Sequence, residues 1–326
     1  MLILNKQDAI YSATKLIKYF KDFNRIDDYF RARKIERVKN IPQALPGMGL
    51  EDDMFQAYDM HPQDMNFQVV QMQSQTFDTM LEMVASFSPD QAPGKEMKLI
   101  VKETNTNTIV GFIKLGSPLI NSKPRNDFLG GVPDLPIFNK HAIMGFNIVP
   151  VQPFGYNYLG GKLLALICVS HHIREKLNDI FEKDIALFET TSLYGSSSSA
   201  SQYDGLKPFM RFKGLTDSKF IPVLYKEAFH NLHDKFTEWN NNEPLTENKA
   251  SSKKLKRQRR MISIIKNSLQ DTEKLNEFNS VIDMAFNLTE KKRFYISDYG
   301  YGNVREVISG EQDKLVRGQN WDKFYL

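Results

Sequence analysis

One carboxylate lies in the middle of an apolar segment that predicts a β-strand. Glu189 is the acidic residue of Ile185–Leu193, whose other members are apolar or hydroxylic. Burying a carboxylate is costly unless it is paired or functional. Glu189 is therefore a candidate general base towards an amine acceptor. The alternative is a structural carboxylate that anchors the loop or pairs with Arg211.

A second candidate region, Met144–Leu166, predicts a strand, a glycine-containing turn and a helix. Pro150 and Pro153 cannot donate hydrogen bonds to a sheet ladder, so the strand must bulge or splay there. Gly160 and Gly161 follow, where backbone N–H groups at a helix start bind phosphate and glycine permits close approach. A plain strand–turn–helix is the alternative, because the spacing is neither that of a Walker A loop nor that of G-x-G-x-x-G.

The loop Gly116–Lys140 precedes this strand and contains four prolines and three glycines. It carries two neighbouring opposite charges, Arg125 and Asp127. Together they are candidates to line an acceptor site. The alternative is a solvated loop.

The positive charge of the chain is concentrated in one segment. Lys249–Lys266 holds eight lysines and arginines and no acidic residue, and without it the chain has a net charge of −4. We call this segment the basic arm. It can neutralise several phosphates of a nucleic acid without sequence preference, and we expect the bound nucleic acid to be DNA. A solvated helix face is the alternative. The six candidate contacts are Lys253, Lys254, Lys256, Arg257, Arg259 and Arg260.

Other classes of protein and site are disfavoured. The single cysteine, Cys168, excludes internal disulfides and cysteine-rich zinc sites. His230 and His233 share a helical face but lack a third ligand, so no metal site is predicted. The longest apolar stretch, Leu163–Val169, is too short to span a bilayer, and no secretory signal is evident. We therefore expect a cytoplasmic protein without a membrane partner.

The elements that position these residues alternate from Asn66 to Tyr225 in the order β-α-β-β-β-α-β-α-β. This order predicts an α+β fold with a mixed sheet flanked by helices. The predicted strands are Phe67–Met72, Lys98–Glu103, Ile109–Leu115, Ala142–Val151, Ile185–Leu193 and Lys219–Tyr225. The predicted helices are Thr76–Phe87, Tyr158–Phe181 and Gln202–Phe212.

Helical extensions are expected at both ends of this core. We divide the chain into a helical N-terminal extension (1–50), the core (51–225) and a helical segment with the basic arm (226–290). The remaining residues, 291–326, form an aromatic tail that we expect to pack on the core.

The element order and the turn after the fourth predicted strand resemble the GNAT acyltransferase superfamily. In that family the fourth strand splays from the fifth, and the following loop and helix start hold the pyrophosphate of acyl-coenzyme A. Here the segment 156–161 occupies the place of that loop. The resemblance implies acyl-coenzyme A or another phosphorylated donor, whose carbonyl would be polarised by the backbone at the strand end. The implied donor-binding residues are Asn147, Val149, Val151, Asn157, Gly160, Gly161 and Lys162.

Residues 105–225 also resemble the DruA-like domain of Druantia anti-phage systems and phage relatives. The matching segments are Val110–Gly111, Gly145–Pro150, Asn157–Leu164, Phe188–Thr191 and Tyr203–Thr216. A GNAT-like phage protein that modifies adenine in DNA, the Mom protein, offers the nearest chemical model for this family.

The two resemblances imply a nucleic-acid-associated acyl- or group-transferase that modifies a DNA base in a phage or phage-defence setting. Glu189 would act as the base and Tyr203 as the acid that protonates the leaving group, with Asp204 beside it. Packing of Tyr203 and helix capping by Asp204 are the alternatives. A second hypothesis is a non-catalytic DNA-binding or phage assembly protein that keeps the fold. It is favoured by the absence of the basic or amide residue that opens the GNAT loop pattern.

Overall fold

A computed structural model describes most of the chain. The described residues are 2–39, 41, 60–72, 74–87, 94–152, 154–157, 160–192, 201–246, 253–289 and 291–326. The predicted flexible loop 195–201, apart from its last residue, and the first four residues of the basic arm lie outside these ranges.

The described residues form a seven-stranded mixed sheet in the order β1-β2-β3-β4-β5-β7-β6. β4 and β5 are parallel, whereas β1–β2, β2–β3, β3–β4 and β5–β7 are antiparallel. The α+β class and the mixed sheet are thus confirmed. The strands are β1 (Phe67–Gln71), β2 (Glu96–Glu103), β3 (Thr108–Gly116), β4 (Ala142–Pro150), β5 (Leu187–Ser192), β6 (Arg211–Lys219) and β7 (Lys291–Ser297).

Helices precede, follow and interrupt the strands. They are α1 (Lys6–Phe20), α2 (Ile26–Val38), α3 (Ser74–Val84), α4 (Lys123–Leu129), α5 (Leu135–His141), α6 (Phe154–Asn157), α7 (Gly160–Cys168), α8 (His171–Phe181), α9 (Lys226–Trp239), α10 (Lys253–Ser268), α11 (Thr272–Phe286) and α12 (Val304–Ser309). Short 3₁₀ turns cover Pro62–Asp64 and Trp321–Phe324.

The chain divides into two compact units. The helical unit comprises 1–35 and 219–290, and the sheet unit comprises 36–218 and 291–326. The segment 219–290 therefore leaves the sheet after β6 and returns as β7. Strand β7 then lies between β5 and β6, so the start of the aromatic tail is a strand within the sheet.

The sheet unit buries apolar side chains on both faces of its sheet. Leu99 and Val101 of β2 pack in the cluster that contains α7 and α8, whereas Ile100 between them packs with α3. On β5, Phe188 belongs to the first cluster and Leu187 packs with α5 and α12. Alternate residues of a strand point to opposite faces. Helices α7 and α8 thus cover one face, and α3, α5 and α12 cover the other.

In the helical unit, α1 packs on α10 and α11, and α10 packs on α9. The segment 220–225 crosses this unit without forming the predicted last strand. Its backbone groups bond to buried side chains instead: Gln258 accepts from Leu224 N at 2.7 Å and donates to Pro222 O at 3.0 Å. Tyr29 bonds both backbone groups of Val223. Since side chains satisfy these groups, no strand partner is needed.

Three other local predictions were wrong in part. The loop 116–140 contains α4 and α5, each with a proline in its first turn, where its missing N–H costs nothing. The predicted helix 158–181 is interrupted before α8, whose N-cap Ser170 accepts from Ile173 N. The predicted helix 202–212 is a series of turns, and β6 begins at Arg211.

Candidate functional site at the diverging strands

Strands β4 and β5 run side by side for only part of their length. Their parallel register extends from Ala142↔Leu187 to Gly145↔Thr190, and β4 then continues to Pro150 along β3. The prediction that these two strands are adjacent, parallel and diverging is confirmed. The divergence begins after Gly145, earlier than the predicted position at Pro150.

A β-bulge and a bulky ring explain where the strands part. Phe146 is the extra residue on β4, because Lys114 is opposite Asn147 while the next residue of β3 is opposite Gly145. A bulge bends its strand and increases its twist. A Cβ on Gly145 would lie 2.8 Å from the Phe188 ring. The last link across the pair is the Thr190 hydroxyl, which donates to the Gly145 carbonyl at 2.8 Å.

The two glycines at the start of α7 have different local roles. Gly160 has φ +56°, a left-handed conformation that favours glycine. At Gly161 an added Cβ would lie 1.5 Å from Oε1 of Gln202. The missing side chain thus makes room for the Gln202 carboxamide, which also donates to the Ile148 carbonyl at 3.5 Å. That the glycines admit a donor stays a prediction.

The other predicted donor residues are spread around this turn. Lys162 is exposed on α7 and Asn157 ends α6, with its side chain outside the described part of the structure. Val149 and Val151 pack with the α3 cluster. The Val151 N–H donates to the Val110 carbonyl at 2.8 Å, so it is not free to polarise a donor carbonyl.

Asn147 is buried beside the divergence. Its Nδ2 donates to the Phe87 carbonyl at 3.0 Å. Its Oδ1 is buried without a hydrogen-bond partner among the described residues. Buried polar atoms are normally satisfied, so this oxygen is an acceptor that a bound group could use.

Tyr203 lies against the end of β5, on the face covered by α7 and α8. Its hydroxyl is hydrogen-bonded to the side chains of Gln202 and Thr190, but burial dominates and raises its pKa. The hydroxyl therefore stays protonated at neutral pH. This placement connects Tyr203 with the last registered pair of the two strands.

Asp204 occupies a polar cluster that the sequence did not predict. Its carboxylate accepts from the Tyr295 hydroxyl at 2.8 Å, from Arg293 at 3.2 Å and from Ser201 N at 3.0 Å. Burial raises the pKa of Asp204, but these hydrogen bonds and the Arg293 charge outweigh it, so the net pKa is lowered. Asp204 is thus held as a carboxylate, and its bond to Ser201 N closes a turn. The alternative of helix capping was wrong, because residues 202–210 form no helix.

Glu189 forms a buried ion pair that the sequence analysis did not anticipate. Arg125 Nη1 lies 3.3 Å from Glu189 Oε1, and the two side chains are 0% and 1% exposed. Burial raises the pKa of Glu189 to about 7, although the charge and hydrogen bond of Arg125 oppose this. The suggested pairing with Arg211 was wrong, because Arg211 pairs with Asp298.

Arg125 also ties down the loop before α4. It donates to the carbonyls of Leu119 and Ile120 at 2.8 and 2.9 Å, and its guanidinium lies 4.2 Å from the Phe138 ring centroid. Glu189 therefore anchors this loop through Arg125, which supports the structural alternative for the carboxylate.

The predicted catalytic and acceptor residues do not form one constellation. Leu187 and Glu189 point to the face of α5, whereas Thr190 and Tyr203 lie on the face of α7, so the sheet separates the proposed base from the proposed acid. Asp127 is exposed and pairs with Lys123 at 2.7 Å, while Arg125 is buried. The expectation that Arg125 and Asp127 together line an acceptor site was wrong.

The basic arm forms α10, which has one buried face and one charged face. Lys253, Lys256 and Arg259 are exposed, and Arg260 is half-buried. Lys254 lies over the rings of Tyr225 and Phe229, at 5.4 and 5.1 Å from their centroids. Arg257 is half-buried too. Three of the six predicted cations are thus exposed and three are half-buried, and of the latter Lys254 packs on two aromatic rings.

Two other kinds of feature are absent from the described ranges. No group of three or more histidine, cysteine or acidic side chains is arranged to hold a metal ion there. None of the helices in those ranges combines the length and the hydropathy that a bilayer crossing requires.

Comparison with known proteins adds no relative. No family model, no curated protein and no solved structure matches the chain. The resemblances to DruA-like and GNAT proteins therefore remain predictions, and functional inference depends on the geometry of this chain.

Proposed function

We propose that this protein is a GNAT-like, DruA-like group transferase that takes a phosphorylated donor, such as acyl-coenzyme A, between β4 and β5 and acts on nucleic acid. The observation that carries this proposal is the divergence of the parallel strands β4 and β5, followed along the chain by α6 and by the helix α7, which begins with two glycines. After Gly145 the edge of β4 that faces β5 has no strand partner in the described residues. Such an edge offers backbone groups to an extended ligand.

The Gln202 carboxamide supports a ligand with an amide or carbonyl group at this place. It donates to the Ile148 carbonyl and occupies the space where a side chain of residue 161 would lie. A donor that carries amides could make the same contacts once Gln202 turns away. A helix start such as that of α7 favours an anion, and the exposed ammonium of Lys162 on the same helix is suited to a phosphate group.

The proton chemistry is assigned on the α7 face of the sheet. Tyr203 keeps its proton at neutral pH and lies at the point where β4 and β5 part, so it is the proposed donor of a proton to the leaving group. Glu189 lies on the opposite face of the sheet, where it pairs with Arg125 and so holds the loop before α4, and we assign it a structural role. The donor, when bound, supplies the activated group that is transferred.

Charge distribution supports nucleic acid as the partner. The helical unit contains 20 lysines and arginines and 14 acidic residues, against 23 and 25 in the sheet unit. An excess of cations on one unit favours contact with phosphates. Modification of a DNA base in a phage or phage-defence setting remains the specific hypothesis within this proposal.

A non-catalytic nucleic-acid-binding protein is the second candidate. The Gln202 carboxamide occupies the space beside Gly161 that a donor would need. Glu189 is buried in an ion pair with Arg125 and is not accessible to an acceptor. Both features are what a fold without donor chemistry would show.

Titration calorimetry with acetyl-coenzyme A, coenzyme A and ATP tests the donor site. We expect the wild type to bind at least one of these ligands and Gly161→Val to lose that binding. The valine side chain would displace the Gln202 carboxamide into the space between β4 and β5 that the donor would occupy. Gly131→Val is the matched control, since no atom lies within 4 Å of a Cβ there. If the wild type binds none of the three ligands, the non-catalytic candidate replaces the transferase.

A further inference from the structure

A second group of cations, away from the basic arm, gathers around one aromatic ring of the sheet unit. Lys213 Nζ of β6 and the Arg305 guanidinium of α12 each lie 4.6 Å from the ring centroid of Phe128 on α4. Three elements thus bring two cations to a single phenyl group. Cation–π contacts hold both side chains in place although their two positive charges repel each other.

A third cation, Arg211, adds to this excess of positive charge. Burial lowers the pKa of Lys213, and the charges of Arg211 and Arg305 lower it further, while Asp298 opposes them. Asp298 already forms an ion pair with Arg211. Among the described residues, no carboxylate lies within salt-bridge distance of Lys213 or Arg305. The Phe128 cluster, defined as Phe128, Arg211, Lys213 and Arg305, therefore has three cations for one anion.

The cluster also contains an unused hydrogen-bond donor. Arg211 Nε is buried and has no hydrogen-bond partner within the ranges that the structure covers. A buried N–H without an acceptor is costly. An incoming anion would reduce the repulsion between the cations, and it would also satisfy this donor if the partly exposed Arg211 side chain turned towards it.

Protection of a sheet edge is the ordinary explanation for lysine on a terminal strand. Strand β6 is at the end of the sheet, where lysines discourage pairing with another chain. That explanation covers Lys213 only in part, because its ammonium is held over Phe128. It does not cover Arg305, which lies on a helix.

We propose that the Phe128 cluster binds a phosphate group, and that this phosphate belongs to the backbone of a polynucleotide. Guanidinium and ammonium groups are the usual protein ligands of phosphate. The choice of a polynucleotide rests on the proposed function, whereas the phosphate site itself does not. Helix α4 carries both Phe128 and Arg125, so it joins this site to the ion pair on β5.

Fluorescence anisotropy with a labelled single-stranded 20-mer tests the site. We expect the double variant Lys213→Gln/Arg305→Gln to bind about tenfold more weakly, with a salt slope smaller by about 1.4, from about 0.7 for each lost phosphate contact. The charge-preserving variant Lys213→Arg/Arg305→Lys should retain most of the affinity. Lys140→Gln/Lys323→Gln removes two exposed charges elsewhere in the sheet unit and is the matched control.

Competition with inorganic phosphate and AMP distinguishes the possible sources of the phosphate. If an unlabelled polynucleotide displaces the 20-mer whereas inorganic phosphate and AMP do not, the bound phosphate belongs to a polynucleotide backbone. Tight binding of AMP that the double variant loses would keep the phosphate site but replace its polynucleotide partner. If the double variant binds every probe as tightly as the wild type does, the Phe128 cluster binds no phosphate and the proposal is wrong, whatever the thermal melt shows. Titration of the same variant with coenzyme A shows whether the donor site between β4 and β5 still binds. A failure of the phosphate site is thereby distinguished from a failure of the donor site.

Discussion

Helix α10 of the helical unit and the interior of the sheet unit use charge in opposite ways. On α10 of the helical unit, Lys253, Lys256 and Arg259 point to solvent. In the sheet unit several charges are buried, as for Lys114 on β3 and the ion pair of Arg125 and Glu189. Outward cations are available to a polyanion, whereas inward charges are committed to internal partners. The comparison indicates that sequence patterns of charge identify a binding surface more readily than a catalytic centre.

The two arrangements also differ in energetic consequence. Exposed cations cost little to keep and gain affinity from the release of counterions when they meet phosphates. A buried pair pays a desolvation penalty that its attraction only partly offsets. Loss of an exposed charge should therefore change binding and leave stability alone, whereas loss of a buried charge should change stability first.

The largest expected effect comes from the three exposed cations of α10 together with the half-buried Arg260. Replacing Lys253, Lys256, Arg259 and Arg260 with Gln should weaken duplex DNA binding about a thousandfold at 0.1 M salt, with a salt slope smaller by about 3.6. The unfolding temperature should hardly change, because these side chains are not in the core. Anisotropy across a salt series and a thermal melt measure both quantities.

A matched set of charges lies on α1, at its C-cap and on α2 in the same unit. Lys6, Lys18, Lys21 and Arg31 are exposed as well, and replacing them with Gln removes the same charge. We expect this control to lose much less affinity. The opposite outcome would place the nucleic-acid contact on α1 and α2 and leave α10 as a solvated face.

The next largest effect concerns the pH dependence of stability at Glu189. Burial raises its pKa from 4.5 to about 7 despite Arg125. Its contribution therefore favours folding fully below pH 4.5 and is lost as the pH rises towards 7. Glu189→Gln resembles the protonated form at every pH. Relative to this variant, the wild type should lose about 3 kcal/mol of stability between pH 4.5 and 7.5.

Urea denaturation of both proteins at pH 4.5, 6 and 7.5 measures this difference. A wild type that gains stability over Glu189→Gln as the pH rises would contradict the prediction. It would mean that the ion pair with Arg125 outweighs burial and keeps Glu189 charged.

Much of the sheet could be predicted because its signals are local. The alternation of apolar residues and the turn residues indicated β1 to β5 nearly at their observed bounds, and Pro150 indicated a divergence close to the real one. The end of the sheet could not be predicted in this way. Strand β7 enters between β5 and β6 only after the 219–290 segment, and no local pattern encodes a partner so distant in sequence.

The candidate site shows the same limit. The apolar strand around Glu189 correctly indicated a buried carboxylate, but its partner Arg125 lies 64 residues earlier in a loop rich in proline and glycine. Gln202 was overlooked because a glutamine beside a serine-rich segment has no distinctive pattern. Its importance depends on the close approach to Gly161, which only the three-dimensional structure contains.

The smallest expected effect concerns the contact between Gly161 and Gln202. It tests whether the Gln202 side chain fills the space beside Gly161. A Cβ at Gly161 would meet the end of the Gln202 side chain and not its backbone. Because that side chain can turn away, Gly161→Ala should cost only about 1 kcal/mol of stability, at the low end for overpacking. Gln202→Ala should remove most of this cost in the double variant, as expected for residues in direct contact. Urea denaturation of the wild type, both single variants and the double variant measures the coupling. Additive effects would show that Gly161 is required for another reason, such as the conformation of the helix start, and that Gln202 does not fill the gap beside β4.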